Sequence, residues 1–322
     1  MSQTPMISII MSVYNGSRFI REAIDSILDQ TISDFEFLIF EDKSTDDTLQ
    51  ILISYSARDP RIKIIKKQEN KGLPGFIENL NLGLKMSRGK YLARMDADDI
   101  SHPDRFAKQL KFLEENPEIF MVGSTIQCIS ETGNFLRMMQ PKFSDKEIKK
   151  AMFNNIQMYH PVIMFRNTDE VQFREKMLYC EDYDLYFRLM LAEKKFANID
   201  LPLLKYRILD HSVTRKDSRF IKWLFVEKAR QFFNENRQKA RDSYDDFKTD
   251  ELLYILEPNF ENAESELLFA CKIALKHGCD AELQKILTKT KSQQLYSDKF
   301  RKYAFYLNLP QTLKKFTRKI FS

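Results

Sequence analysis

The chain has 322 residues and a mass of 38.3 kDa, about two domains at the usual size of a domain. Hydrophobic residues make up 43% and charged residues 30%, which supplies a packed core and excludes a disordered or low-complexity chain. The net charge of +5 is too small to indicate nucleic-acid binding, but it is uneven, because residues 211–322 hold 22 basic and 15 acidic residues.

Strands and helices alternate along the first two thirds of the chain. Apolar runs predict strands at residues 7–13, 35–40, 62–65 and 91–95. Helix-spaced apolar residues and capping signals predict helices over 17–30, from about 44 to 56, over 74–86 and from 101 to about 116. Strand–helix units at this spacing predict an α/β fold, a mostly parallel sheet with helices on both faces.

Three polar clusters directly follow predicted strands. They are Tyr14-Asn15, Glu41-Asp42 and Asp96-Ala97-Asp98-Asp99. Ligands of open sheets bind outside the carboxyl ends of the strands, so the clusters predict a site on one rim. A helix N-cap is the alternative explanation. We favour it for Asp46 and Ser101, whereas for Asp42 the pattern alone favours neither.

The acidic cluster after the fourth strand is the most informative of the three. Asp96 and Asp98 flank one residue, and two unpaired carboxylates would raise each other's pKa. Mg²⁺ or Mn²⁺ resolves this repulsion, because these ions take oxygen ligands and keep substrate phosphates in their shell. No GxxxxGK[ST] or GxGxxG motif is present, so metal and diphosphate indicate a nucleotide-sugar site. A solvated acidic loop is the alternative.

Four segments in order resemble one known family. They are ISIIMSVYN, REAIDSILDQTISDFEFLIFEDKSTDDT, NKGLPGFIENLNLGLKMSRGKYLARMDADD and HPDRFAKQLKFLEENPEI. Over roughly residues 5–210 the chain resembles the family 2 inverting glycosyltransferases, closest to bacterial enzymes of O-antigen, capsule and exopolysaccharide assembly (the amylovoran type). The resemblance implies a GT-A catalytic domain at residues 1–215 and a helical C-terminal domain at 216–322.

The resemblance also implies roles in binding the donor. Val13, Tyr14 and Asn15 would lie along the nucleobase, and Lys71 would lie near the nucleotide. Asp42 would accept a hydrogen bond from the uracil imide of a UDP-sugar. Its loop reads EDKS where the family commonly has DDGS, so Lys43 replaces a glycine.

The acidic cluster would hold the diphosphate end of the donor. Asp96 would contact the ribose or the donor sugar, and Asp98 would coordinate the metal that bridges the diphosphate. His211 would lie near the donor phosphates, as a weaker candidate for the metal, with a structural role as its alternative. Arg94 precedes the cluster and could pair with a carboxylate or phosphate, or pack its stem on the sheet surface.

An inverting transfer needs one base to take the proton of the acceptor hydroxyl. EDYD at residues 181–184 precedes a helical run, and carboxylates in a first turn also stabilise a helix through its dipole. The segment resembles the ED motif of the family, which implies Asp182 as the base and Glu181 as its supporting, acceptor-binding partner. For Asp184 we favour the helix role. His160 would lie near the acceptor, with a structural role as the alternative.

The last third is predicted to be helical, with Gly278 ending one helix. Residues 299–322 carry seven Lys and Arg and no acid. Leu313, Phe316, Ile320 and Phe321 share one side of the final helix. Such a segment is typical of contact with an anionic membrane, where each basic residue contributes ~1 kcal/mol. A solvated tail packed on the core is the alternative. No nucleic-acid module is recognisable, so no nucleic-acid partner is expected.

Cysteine spacing and hydropathy predict where the protein resides. The four cysteines show no CxxC spacing, which argues against a zinc site or a disulfide framework and favours a reducing compartment. The first residues lack the features of a signal peptide, and the early apolar stretch is far short of the ~20 residues of a membrane helix. We expect a cytoplasmic protein, free or peripheral on the inner face of the plasma membrane.

The sequence thus predicts a metal-dependent inverting glycosyltransferase. It would move a hexose or N-acetylhexosamine from a UDP-sugar to a saccharide acceptor, lipid-linked, in surface polysaccharide synthesis. One alternative is a nucleotidyltransferase, which would release pyrophosphate and show a Gly-rich NTP loop. Another is a non-catalytic glycan-assembly subunit of the same fold, which release of UDP would exclude.

Overall fold

The computed structural model describes residues 4–209 and 219–321, without the side chains of 315 and 319–321. It contains two compact units. One is formed by residues 4–175 and 181–209, and the other by residues 176–180 and 219–321. His211, predicted near the donor phosphates, lies outside the described residues.

The first unit is built on a mixed, mostly parallel sheet. Its strands are β1 (Ile7–Val13), β2 (Phe35–Glu41), β3 (Ile62–Lys66), β4 (Tyr91–Arg94), β5 (Ile100–Ser101), β6 (Ile119–Ile129), β7 (Phe135–Met139), β8 (Met164–Arg166) and β9 (Lys195–Arg207). The order across the sheet is β3-β2-β1-β4-β8-β6-β9-β5, with β7 paired to β6. The first four strands run parallel, and β8 enters antiparallel between β4 and β6. The predicted sheet is confirmed.

Helices cover both faces of this sheet. They are α1 (Ile20–Leu28), α2 (Thr48–Ser56), α3 (Leu73–Met86), α4 (Arg105–Glu115), α5 (Asp145–Met152) and α6 (Glu181–Leu191). Ile9 and Met11 of β1 join the core cluster that contains the buried side of α1. The alternate residue Ile10 meets α3 so closely that a Cβ on Gly83 would lie 2.6 Å from its Cγ2. Successive residues of one strand therefore pack on opposite helices.

Two helix starts differ in their agreement with the sequence. The N-cap position of α2 is Asp47 and not the predicted Asp46, although the Asp46 side chain accepts a hydrogen bond from the Thr48 amide at 3.0 Å and so serves the start of the helix. The prediction for Ser101 is wrong. Ser101 pairs with Leu204 in the sheet, its amide donates to Ser26 Oγ, and α4 begins only at Arg105. Strand pairing with a distant segment decides this position.

A buried carboxylate ties β2 to its neighbours. Glu36 is 3% exposed and accepts hydrogen bonds from Ser8 Oγ at 2.7 Å and from Arg88 Nη2 at 2.8 Å. Burial alone would raise its pKa, but hydrogen bonds from Lys63, Ser8 and Arg88 lower the pKa of Glu36 to about 2. Its folded-state pKa is thus depressed below its ordinary value of 4.5.

Glu36→Gln is expected to lower the free energy of unfolding by about 2 kcal/mol, because charge-assisted hydrogen bonds are lost. In the wild type this contribution is present above pH 4.5 and is lost as the pH falls toward 2, where the folded-state carboxyl protonates. Urea unfolding at several pH values measures both effects, with the exposed Glu118→Gln as control. Equal stability of Glu36→Gln and wild type at neutral pH would contradict the assignment.

The second unit is helical throughout its described residues. Its helices are α7 (Arg219–Lys239), α8 (Thr249–Leu253), α9 (Glu264–His277), α10 (Asp280–Ser292), α11 (Asp298–Leu307) and α12 (Gln311–Phe321). Gly278 ends α9 in the left-handed conformation at φ 71°, as predicted. No helix within residues 4–209 and 219–321 is both long and apolar enough to cross a membrane.

Candidate active site

The carboxyl ends of three neighbouring strands form one rim of the sheet. Val13 at the end of β1 lies opposite Glu41 at the end of β2. On the other side of β1, the Met95 amide donates to Ile10 at 3.1 Å as the chain leaves β4. The polar clusters that follow these strands therefore share this rim, as the sequence predicted.

Two loops at the rim are tied together by Asn15. Its Oδ1 accepts from the Thr45 amide at 2.8 Å, and its own amide donates to Ser44 Oγ at 3.0 Å. Lys43 in the second loop has φ 62°, the left-handed conformation that glycine adopts most easily. The loop therefore keeps the shape that a glycine would favour, at a cost of roughly 1–2 kcal/mol.

Asp42 presents one free acceptor at this rim. Its side chain is buried, and Oδ2 accepts from Asn70 Nδ2 at 3.0 Å, while Oδ1 has no hydrogen-bond partner in the described structure. Burial raises the pKa of Asp42. Val13, at the end of β1, is buried, and Tyr14, which follows it in the sequence, is 49% exposed. A donor group that enters here would satisfy Oδ1.

Lys71 lies in the loop that carries Asn70. Its ammonium lies 3.2 Å from Glu78 Oε2 and 3.5 Å from Glu69 Oε1, and these carboxylates, Glu78 first, raise the pKa of Lys71. In this loop Asn70, rather than Lys71, donates a hydrogen bond to Asp42, and the sequence did not single out Asn70. The only signal for it is its place in the NKG turn.

Arg94 anchors the acidic cluster from within the protein. It is 3% exposed, its Nη2 lies 2.6 Å from Asp96 Oδ1, and its Nη1 donates to the Met95 carbonyl. The guanidinium also lies over the Phe76 ring, 5.3 Å from its centre. Of the two roles considered for Arg94, pairing with a carboxylate is therefore correct and the surface stem is wrong.

In the DADD cluster (Asp96, Asp98 and Asp99), Asp96 has this ion pair, whereas Asp98 and Asp99 have none within the described residues. Burial, and then the charge of Asp96, raise the pKa of Asp98 to about 6. Burial and Asp98 raise the pKa of Asp99, whose Oδ2 has no hydrogen-bond partner in the described structure. Arg207 fixes the loop, because its Nε donates to the Asp98 carbonyl at 2.9 Å and its amide to Asp99 Oδ1 at 2.8 Å.

The ED cluster (Glu181 and Asp182) opens α6. Burial, and then Asp182, raise the pKa of Glu181 to about 8, and burial raises the pKa of Asp182 to about 6. The charges of Arg94 and Asp96 also act on the pKa values of both carboxyls. The DADD and ED clusters, about 85 residues apart in the sequence, therefore act on each other electrostatically.

Two further predicted residues lie beside the ED cluster. His160 Nδ1 is 3.9 Å from Glu181 Oε1, and Nε2 is buried without a hydrogen-bond partner in the described structure. Burial, and then Arg94, lower the pKa of His160, so its ring is neutral at pH 7. Asp184 faces away from this chemistry, because it is ion-paired with Arg174 and Arg188.

The electrostatics of the two clusters suit a divalent cation. Burial and repulsion between neighbouring carboxylates raise the pKa values of Asp98, Asp99 and Glu181, and a cation beside them would favour the ionised forms. No three His, Cys, Asp or Glu side chains of residues 4–209 and 219–321 form a complete metal site. An ion held by Asp98 would need ligands from the substrate, as Mg²⁺ and Mn²⁺ usually do.

Sequence reasoning missed two of these arginines. Arg105 is fully buried, donates to the Arg94 carbonyl at 2.7 Å, and has its pKa lowered to about 9 by burial. Arg207 is the last residue of β9. Helical spacing gives Arg105 the pattern of an ordinary surface residue, so neither position carried a local signal of burial.

The chain can now be compared with known proteins. The model of the family described as Glycosyl transferase family 2 matches residues 8–172. The chain belongs to glycosyl transferase family 2. The span matched in this family 2 glycosyltransferase contains the three strand-end clusters and ends before the ED cluster.

Relatives of this family 2 glycosyltransferase match about two thirds to three quarters of its length. "Uncharacterized glycosyltransferase MJ1057" of Methanocaldococcus jannaschii is 36% identical over 209 residues, 63% of this chain and 71% of that protein. "O-antigen biosynthesis glycosyltransferase WbnJ" of Escherichia coli is 34% identical over 220 residues, 65% and 82%. "Chondroitin synthase" of Escherichia coli is 30% identical over 247 residues, 75% and 34%.

Solved structures agree on the fold. Staphylococcus aureus TarS 1–349 in complex with UDP-GlcNAc gives a TM-score of 0.61 at 16% identity, covering 92% of this chain and 90% of that one. Mannosyltransferase PcManGT from Pyrobaculum calidifontis, in complex with GDP-Man and Mn²⁺, gives 0.53 at 12% identity, covering 99% and 85%. The GT-A fold class, with its helical C-terminal region, is therefore confirmed.

Proposed function

We propose that this glycosyltransferase moves a hexose or N-acetylhexosamine from a UDP-sugar to a saccharide acceptor with inversion, and that it needs a divalent metal. One observation carries the proposal: the DADD cluster on the rim and the ED cluster of α6 interact electrostatically. The first cluster suits a metal-bound diphosphate, and the second suits an acceptor hydroxyl. A transfer reaction needs both in one site. We take residues 1–215 as the catalytic domain.

The donor would bind along the rim from β2 to β4. The unpartnered Oδ1 of Asp42 is an acceptor for an N–H group, which the imide of uracil supplies. Tyr14, which is half exposed, offers a ring against the base, with Val13 beneath it and Asn15 holding the loop. Lys71 lies on the edge of this region. Asp96, held by Arg94, would accept hydrogen bonds from the ribose or the donor sugar.

The metal would be Mn²⁺ or Mg²⁺, held by Asp98. A bound ion of this kind supplies positive charge against the diphosphate as the glycosidic bond breaks. The protein contributes the carboxylate of Asp98, the neighbouring charge of Asp96, and the fixed loop that Arg207 provides. His211, outside the described residues, stays a weaker candidate for the same ion.

The acceptor would be activated by Asp182. Its carboxylate takes the proton of the attacking hydroxyl while the oxygen forms the new bond to the anomeric carbon and UDP leaves from the opposite face. Glu181 has a pKa of about 8, so it is protonated at pH 7 and can donate a hydrogen bond to the acceptor. His160, neutral and with a free Nε2, adds a second polar contact on that side.

The names of the relatives support the acceptor class that we propose. WbnJ is named for O-antigen biosynthesis and the other Escherichia coli relative is a chondroitin synthase. TarS was solved with UDP-GlcNAc. These names support a role in the synthesis of O-antigen, capsule or exopolysaccharide, with the acceptor on a lipid carrier.

The configuration of the product tests the proposal. The enzyme is incubated with Mn²⁺, a panel of α-linked UDP-sugars and a panel of saccharide acceptors, and the new linkage is read by NMR. Inversion predicts a β-linked product. An α-linked product from an α-linked donor would remove the single-displacement reaction, and with it the role of Asp182.

The pH dependence of turnover provides a further prediction. Asp182 must be ionised to act as a base, and its pKa is about 6. We therefore expect kcat/KM to fall as the pH drops below about 6, by tenfold for each pH unit well below that value. Initial rates between acidic and neutral pH at saturating Mn²⁺ measure this limb. A rate that stays constant well below pH 6 would contradict Asp182 as the base.

A further inference from the structure

The last helix of the second unit turns its charged side inward. Lys314 on α12 is 6% exposed, and its Nζ donates to Asp280 Oδ2 at 2.8 Å. One turn later, Arg318 Nε donates to the Tyr306 hydroxyl at 2.7 Å. Asp280 and Tyr306 lie at the start of α10 and on α11. Polar contacts with two other helices therefore fix which face of α12 is packed against the protein.

A third contact fixes the same face. The guanidinium of Arg318 lies so close to Gly278 that a Cβ at that position would clash with it. Gly278 ends α9, and a cation at the C-terminus of a helix is favoured by the helix dipole. The inward side of α12 is thus specified by hydrogen bonds and charge.

The outward side of α12 is apolar. Leu313 is 49% exposed and Phe316 is 74% exposed, the highest value for a large apolar side chain in the described part of the chain. A helix on the surface of a protein normally buries its apolar stripe and exposes its charged residues. The arrangement in α12 is the reverse, which leaves an apolar surface available to something outside the protein.

The charge around this surface indicates what covers it. Residues 299–322 contain seven Lys and Arg, of which four pair with three acidic residues (Glu264, Asp280 and Asp298), so the segment and its partners keep four more basic than acidic residues. We propose that α12 docks on an anionic lipid bilayer, with Leu313 and Phe316 inserted below the headgroups and this positive balance attracting the lipid phosphates. A second copy of the chain fits less well, because a self-complementary contact would oppose like charges. This inference does not depend on the transferase reaction.

Vesicle binding by the full chain tests the proposal without any sugar donor. We compare sedimentation with vesicles of phosphatidylcholine alone and with vesicles that also contain phosphatidylglycerol. The test variant is Leu313→Ser with Phe316→Ser. The control is Ile53→Ser on α2, which removes an apolar side chain of similar exposure, 45%, from the first unit. Thermal unfolding of each variant verifies that the fold is retained.

Binding to the anionic vesicles, weakened by added salt, is expected for the wild type and for Ile53→Ser. The double variant should bind at least about tenfold more weakly, because two apolar side chains no longer enter the bilayer. No binding by the wild type, or equal binding by the double variant, would overturn the proposal. So would a wild-type dimer that the double variant converts to a monomer with no effect on vesicles.

Discussion

Asp182→Asn is expected to lower kcat by about 10²–10⁴-fold and to leave the affinity for UDP and Mn²⁺ unchanged. The amide cannot accept the proton of the acceptor hydroxyl, yet it has nearly the same shape as the carboxylate. Asp182 lies at the start of α6, where its Oδ1 accepts a hydrogen bond from the Tyr183 amide, and an asparagine can retain that contact through its carbonyl oxygen. Initial rates and UDP titrations measure the two quantities separately.

The matched control for this variant is Glu147→Gln. Glu147 also lies in the first turn of a helix, α5, but on an exposed surface away from the rim. Glu147→Gln removes the same charge at the same place relative to a helix dipole. Because Glu147 lies away from the rim, this variant should leave kcat unchanged. Turnover close to wild type in Asp182→Asn would show that another group is the base.

Asp98→Asn is expected to abolish the metal dependence of donor binding. If Asp98 holds the ion, its loss should weaken UDP binding in the presence of Mn²⁺ by about 10–100-fold or more, down to the metal-free value. Burial and the neighbouring Asp96 hold the pKa of Asp98 near 6, so a nearby cation is needed to stabilise its ionised form. Titration of UDP with Mn²⁺ and with EDTA measures the difference.

Asp99→Asn is the control for the metal site. Asp99 belongs to the same cluster but is fully buried, and it accepts a hydrogen bond from the Arg207 amide. Its change should affect stability more than the response to Mn²⁺. The assignment of Asp98 would not survive if Mn²⁺ strengthened UDP binding in Asp98→Asn as much as in the wild type.

Much of the site could be predicted because its parts lie in short, local patterns. The apolar run of β1, the turn after it and the DADD cluster after β4 can all be found within a few residues of sequence. Strands of a parallel sheet end on one rim, so the placement of Tyr14, Asp42 and Asp96 near each other follows from topology. The resemblance to a family then added the ED cluster, which no local pattern distinguishes from an ordinary helix start.

The partners of these groups could not be predicted, because they come from distant parts of the chain. Arg207 reaches the Asp98 carbonyl from β9, and Arg105 reaches the Arg94 carbonyl from α4. Ser101 lies in a strand, and not at a helix start, because it pairs with Leu204. The orientation of α12 depends on Asp280, which lies 34 residues before Lys314. The hydrophobic periodicity predicts an apolar side for that helix, but periodicity alone does not show whether this side faces the protein or the solvent.

Release of nucleotide by the wild-type enzyme tests the central claim most directly. The enzyme is mixed with the panel of saccharide acceptors and with UDP-, GDP- and dTDP-sugars in turn, with Mn²⁺ and with EDTA, and free nucleoside diphosphate is measured over time. A UDP-sugar should be consumed, and consumption should stop when EDTA removes the metal. Consumption of no nucleotide sugar in the presence of Mn²⁺, or consumption that EDTA leaves unchanged, would contradict a metal-dependent transferase that uses a UDP-sugar.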